Sequence, residues 1–222
     1  KLQKRLSSGL WYLASYTYSK SRVTVPAPEI GGNFTYETGP SNFDIPHLLA
    51  MSFGAELPFG TGKALLGNAG PVANALVGGW QLQSIVNYRS GLAFTPTVSR
   101  DVANIGVANQ RPNRNGSGES DNPTLDAWFD KTAFAVPADF TFGNSGRSIL
   151  RADHQWNVDA SLFKRFSVTN SSTIEIRAEV FNLLNSVYFA APNTQIDTAA
   201  GGRVTATSNS ARQLQFGLKY IF

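Results

Sequence analysis

Cysteine is missing from all 222 residues, methionine occurs once and histidine twice. Without cysteine there is no disulfide, no zinc–thiolate site and no thiol nucleophile. Charge is also scarce. Asp, Glu, Lys and Arg make up 15% of the chain, against roughly 25% in ordinary soluble domains. The net charge of +4 is scattered and forms no basic run. Nucleic acid is therefore not expected as a partner, since it needs a concentrated basic face. No apolar stretch approaches the ~20 residues of a membrane-crossing helix. That leaves membrane strands open, because only about half of such a strand faces lipid and hydropathy averages hide it. The first residue is Lys1 and no signal peptide is visible. A processed chain, or a piece of a longer one, is the expectation.

What is present is apolar, aromatic and glycine-rich: 42% hydrophobic, 15 Phe, 7 Tyr and 20 Gly. The apolar residues recur at every second position, the period of a two-faced strand. Lys1–Leu6 reads as the tail of a strand, followed by a tight turn at Ser7-Ser8-Gly9. Leu10–Lys20, His47–Pro58, Trp80–Ser90, Trp156–Ser167, Thr173 to about Phe189 and Ala211–Phe222 follow. In His47–Pro58, Leu49, Met51, Phe53 and Ala55 alternate with Ala50, Ser52, Gly54 and Glu56. In Trp80–Ser90, Leu82, Val86 and Tyr88 alternate with Gln81, Gln83, Asn87 and Arg89. In Trp156–Ser167, Val158, Ala160 and Leu162 oppose Asn157, Asp159 and Ser161. In the sixth strand, Ile174, Ile176, Ala178 and Val180 oppose Glu175, Arg177 and Glu179.

Such alternation also fits a soluble sandwich with its apolar face inward. Length separates the two. These strands exceed the ~5–6 residues of globular sheets and match the ~9–11 of a tilted membrane strand. Trp and Tyr gather near strand ends, as in the interfacial girdles of membrane barrels. The connections agree. Placing Phe222 at the periplasmic end makes Ser7-Ser8-Gly9 and Thr169–Ser172 short periplasmic turns. Residues 21–46, 91–155 and about 190–209 become long outer loops. Phe59–Gly79 is a long periplasmic exception, with Pro71–Val77 predicted as one or two turns of helix. The stretch from Arg111 to Pro123 reads as flexible loop. The 91–155 loop holds six basic and seven acidic residues, so it presents no single-sign field.

The segments KRLSSGLWYLASYTYSKS, FDIPHLLAMSFGAELPFG, GGWQLQSIVNYRSGLAFTP, QRPNRNG followed by AWFDKTAFAVP, FGNSGRSILRADHQWNVDASLFKRF, EIRAEVFNLLNSVYFAAPN and the terminal strand carry a resemblance over essentially the whole chain. In this order they resemble the C-terminal part of the barrel of a TonB-dependent outer-membrane receptor. The nearest branch is the Oar-like receptors, which begin with a carboxypeptidase-regulatory-like domain. The fold class expected is all-β: an antiparallel transmembrane β-barrel of outer-membrane type, here six or seven C-terminal strands with long extracellular loops. The resemblance implies a larger barrel, a plug and a TonB-contacting segment that these residues do not hold. It implies a cell outer membrane location in a Gram-negative bacterium and active import of a surface-bound nutrient. The implied partners are outer-membrane lipid, the barrel-assembly machinery, and TonB through the missing N-terminal part. Leu214, Phe216, Leu218, Tyr220 and Phe222 are similar to the signal by which that machinery recognises barrels. The alternatives are a surface-binding or adhesion protein that displays its loops, and a soluble all-β binding domain.

Catalysis, cofactors and metals are not expected. His47 and His154, with Asp44 and Asp153, lie on distant loops, too few and too far apart for a metal centre. GTGK at Gly60–Lys63 lacks the full phosphate-loop pattern. Candidate substrate contacts lie on the long outer loop. Trp128, Phe129 and Phe134 would anchor a ligand; Arg111, Arg114 and Arg147 would meet an anionic group. The competing reading is that these aromatics pack the loop down. Asn33-Phe34-Thr35 and Asn115-Gly116-Ser117 match a glycosylation pattern, incidental in a bacterial protein.

Overall fold

The computed structural model describes residues 1–24 and 37–222. The Asn33 motif and much of the 21–46 loop lie outside the described residues. Among the described residues thirteen strands occur in chain order: β1 (Leu2–Ser7), β2 (Leu10–Tyr18), β3 (Arg22–Thr24), β4 (Thr38–Pro40), β5 (His47–Glu56), β6 (Trp80–Arg89), β7 (Ala93–Phe94), β8 (Asn113–Arg114), β9 (Phe134–Ala135), β10 (Leu150–Arg151), β11 (Gln155–Ser167), β12 (Thr173–Phe181) and β13 (Gln213–Ile221). Seven of them build one antiparallel sheet in the order β1-β2-β5-β6-β11-β12-β13. Every sheet neighbour is therefore the next long strand in sequence. The sheet is open, with β1 and β13 as its edges among the described residues. The other six strands pair two by two in the loops.

Register explains why the alternation works. Tyr12 faces Phe53, Phe53 faces Ser84, and Ser84 faces Ala160. Ala160 faces Val180, which faces Leu214. One row lower in the sheet's pattern, Leu82, Leu162, Ala178 and Phe216 are partners in turn. Most apolar positions of the strands thus share one face, because a side-chain period of 2 stays in phase across the ladder. Gly54, Gln83, Ser161, Glu179 and Gln215 form the matching row on the other face.

The hairpin between β1 and β2 turns on two residues. Ser8 and Gly9 both have positive φ, 53° and 74°, and Ser7 faces Leu10 across the turn. Positive φ at both central positions is the geometry whose twist matches paired strands. The second short turn, 168–172, is tied by Val168 N–H to Ser172 O at 2.9 Å. Pro71–Val77 forms the expected helix, α1. The sixth strand ends at Phe181, earlier than its apolar run suggests. Asn182 and Asn185 adopt positive φ there. The Asn182 side chain then accepts from Ser186 N–H at 2.8 Å and donates to Ser186 O at 2.9 Å. An amide that bonds its own downstream backbone competes with the ladder and turns the chain.

The outer connections are not bare loops. A cluster of Phe94, Phe129, Ala133, Phe134 and Leu150 forms the core of a folded body. It draws on two of the outer loops, 91–155 and 190–209. Thr97 N–H donates to Thr194 O at 2.8 Å and Ile196 N–H to Thr97 O at 2.9 Å. Trp128 N–H donates to Gly202 O, and Val204 N–H to Leu125 O, both at 2.8 Å. The stretch read as flexible contributes too: Arg111 is buried, Pro112 fully so, and Asn113–Arg114 pairs with β9.

Candidate functional site

Two regions carry chemistry: the polar face of the large sheet and the loop body at its end. On the polar face an ionic ladder runs across β11 and β12. Glu175 Oε2 accepts from Arg165 Nε at 2.8 Å, and Glu175 Oε1 from Arg177 Nη2 at 2.8 Å. Arg177 Nη1 reaches Glu179 Oε1 at 3.2 Å. Phe163, 2% exposed, lies beneath both guanidiniums, with the Arg177 and Arg165 carbons 5.0 and 5.5 Å from its ring centre. The planar cations cover the ring with the charge over its negative face.

This face is not uniformly polar. Its register also carries Trp11, Leu13, Leu48, Ile85 and Phe181. Ile85 is 51% exposed and Phe181 41%. Trp11 lies across Gly54, where a methyl group would overlap its indole. A cavity of about 290 Å³ opens between Trp11, Gln83, Ile85, Arg177, Glu179 and Phe181. The alternation hid these residues because Leu13, Ile85 and Phe181 interrupt otherwise polar positions.

The other face is apolar through its middle except at Ser84, and its exposed residues include Leu214, Phe216 and Leu218. Aromatics mark both its ends. Tyr16, Tyr18 and His47 cluster at one end, with Tyr16 Oη 2.8 Å from His47 Nδ1. Tyr88 contacts Trp156 and His154 beside them. Trp80 and Tyr220 stand at the opposite end. Trp80 and Tyr88 lie eight residues apart on β6, about 27 Å along a strand at ~3.4 Å per residue. A large apolar face between aromatic bands, on strands of 9 to 13 residues (β1 alone is shorter), is the surface that faces lipid in a membrane barrel.

A family model described as "Outer membrane beta barrel domain" matches residues 1–215. The chain belongs to the outer membrane beta barrel domain family. No curated protein and no solved structure matches it. The apolar face of this outer-membrane barrel sheet is thus its lipid face, and the face with the ionic ladder is its luminal wall. Long loops mark the external ends of the strands, so the aromatic band at Tyr16, Tyr88 and Trp156 is external.

The outer loop body holds the residues singled out as substrate contacts. Phe129 and Phe134 are 3% and 6% exposed and sit edge-to-face in the core, ring centres 6.1 Å apart. Trp128 packs against that core; its indole N–H donates to Arg151 O at 3.0 Å. Arg111 is buried and pairs with Glu37 at 2.6 Å, with both side chains at most 6% exposed. Arg114 is exposed, and its guanidinium donates to Gly116 O and Ser117 O at 2.7 and 3.0 Å. Arg147 Nη2 donates to Asn42 Oδ1 at 3.3 Å, while its Nε is buried without a partner. The core therefore brings Phe129, Phe134 and Trp128 together, whereas none of the three arginines belongs to that cluster. Leu214, Phe216, Leu218, Tyr220 and Phe222 lie along the exposed edge strand and its end, with the Tyr220 and Phe222 rings stacked at 5.7 Å.

Sequence reasoning missed the clamps that hold the loops together. Glu37 to Arg111 is one. Asp44 to Arg151 is another, an ion pair in which Asp44 also accepts from Ser21 N–H at 2.6 Å. Burial alone would raise the Asp44 carboxyl. The Ser21 hydrogen bond and the Arg151 guanidinium outweigh it and hold the group below its ordinary value of 3.8. A lowered folded-state value means stabilisation that is complete above the unfolded value and lost as pH falls through the folded one. The clamp is thus insensitive to pH near neutrality and opens in acid below about pH 4. Hydrogen exchange of residues 147–151, corrected for intrinsic rates, should show an acid-triggered loss of protection that Asp44→Asn abolishes. An acid transition of unchanged size in that variant would refute the clamp.

Proposed function

We propose that this barrel wall is part of a TonB-dependent receptor of the Oar-like branch, which binds a nutrient at the cell surface and imports it actively into the periplasm. The observation that carries this reading is the luminal wall. Ile85 and Phe181 stand exposed beside the Arg177–Glu179 pair. In an open aqueous pore such apolar side chains would be wetted; against a plug they are covered. Exposed apolar surface of this kind marks a contact face. The ionic ladder supplies the polar part of the same face.

On this reading the chain is not an enzyme. Its partners are outer-membrane lipid, the barrel-assembly machinery acting on the β13 signal residues, TonB through another part of the receptor, and an unidentified nutrient. The loop body receives the ligand on its exposed rim, where Arg114 lies, while Phe129 and Phe134 give it shape. The adhesion alternative needs no energy from TonB. Uptake of the nutrient that supports growth should vanish in cells lacking TonB while surface binding persists. Uptake that continues without TonB would refute transport by this route.

A further inference from the structure

The connection between β5 and β6 puts an uncharged helix on the lipid side of the wall. α1 reads PVANALV and buries none of its residues. Val72 and Leu76, one turn apart and hence on one face, are 78% and 70% exposed. Leu65 and Leu66, just before it, are 49% and 59% exposed.

Two side chains fix the helix's position. Lys164 lies in β11 opposite Trp80 and Ile176, on the lipid face, where a cation is out of place. Its Nζ donates to Ala75 O at 2.6 Å and to Asn74 O at 3.4 Å. It also stands 4.9 Å from the Phe166 ring centre. The Trp80 indole N–H donates to Leu76 O at 2.9 Å. Both bonds come from the lipid face and hold the last turn of the helix. The helix end, where carbonyls gather partial negative charge, thus meets the ammonium, and each satisfies the other.

We infer that α1 and the Leu65–Leu66 turn form an interfacial anchor, lying in the headgroup layer of the periplasmic leaflet with Leu66, Val72 and Leu76 against phospholipid acyl chains. The occupant follows from continuity: the helix is tied to the rim of the face that already meets lipid. Lys164 fits the same depth. A cation on the lipid face of a barrel costs ~2–4 kcal/mol at the midplane and ~0–1 near the interface. A seven-residue helix is marginal in water, and an apolar interface supplies what its own turns lack. A helix of this size has no span to cross a bilayer, so it lies on the surface.

None of the 222 residues is cysteine, so in a background freed of any other thiol a single introduced cysteine is the one label site. Val72→Cys and Leu76→Cys carry an environment-sensitive fluorophore in the full-length protein in phospholipid bilayers. Phe140→Cys, on the outer loop body and 75% exposed, is the water-facing reference. The labels at 72 and 76 are expected to be quenched several-fold more by lipids with a nitroxide high on the acyl chain than by aqueous iodide. The label at 140 should show the reverse. Iodide quenching at 72 and 76 equal to that at 140 would overturn the inference. So would protection from both quenchers, the sign of a protein lying over the helix. Lys164→Met should loosen the last turn and shift the label at 76 toward the aqueous pattern; an unshifted label would overturn the anchoring role of Lys164. Should Lys164→Met not assemble, the labels in the otherwise native chain still decide.

Discussion

Replacing Glu37 with alanine should unlock the outer loop body at a cost of about 3–5 kcal/mol. The reason is asymmetric. The Arg111–Glu37 pair at 2.6 Å is almost wholly desolvated, with side-chain exposures of 6% and 4%. Removing Glu37 takes a carboxylate away from a guanidinium that stays buried, and that loss of a countercharge at a desolvated site sets the cost rather than the pair's net strength. The pair links the 37–46 segment to the 91–155 loop, so the loss should be local. Protease cleavage in the outer loops should rise steeply while the strands keep the heat-modifiable migration of a folded barrel. Replacing both residues with methionine tests the mechanism, because an apolar pair of similar volume restores much of the loss. A double variant as labile as Glu37→Ala would sink the ion-pair explanation.

Phe134→Ala is the second large effect, also about 3–5 kcal/mol, from lost apolar burial plus the cavity left behind. Phe134 is 6% exposed and packs edge-to-face on Phe129, which in turn meets Phe94 at 5.7 Å. The same aromatics were natural candidates for ligand contact, and the variant separates the roles. Loss through packing predicts that loop protection and ligand binding fall together and that Phe134→Leu recovers most of both. Binding lost with loop protection intact would instead put the ring itself against the ligand.

The wall was readable because its physics is local. A period of two, held over Leu49–Met51–Phe53 or Ile174–Ile176–Ala178, needs no knowledge of partners. Thus strand identity, sequential pairing, the Ser8-Gly9 turn and even α1 followed from the chain alone. Strand ends were less clear, since the apolar run after Phe181 continues while Asn182 breaks the ladder. The exceptions on each face escaped. Ile85 and Phe181 are luminal and Lys164 faces lipid, and in each case another element explains the position. The loop body was opaque for a related reason. Glu37 and Arg111 lie 74 residues apart and Asp44 and Arg151 107 apart, and no local pattern announces such a pairing.

The shared loop body also imposes an order of events in time. Each wall strand pairs with the next long strand in sequence, so the wall can grow hairpin by hairpin without waiting for distant chain. The loop body cannot. The two Thr hydroxyls that meet at 3.0 Å, on Thr97 and Thr194, are 97 residues apart, and that closure spans the whole β11–β12 hairpin. Long-range closure is slow because its entropy is spent before any contact returns it. The 91–155 loop therefore has to reach the cell surface and wait there, its Phe94–Phe129–Phe134 cluster incompletely covered, until the 190–209 segment follows. During that interval the growing barrel displays a sticky, unfinished surface to the outside. A strand-by-strand insertion that stalls before β13 would leave a protein that is anchored yet permanently open to external proteases.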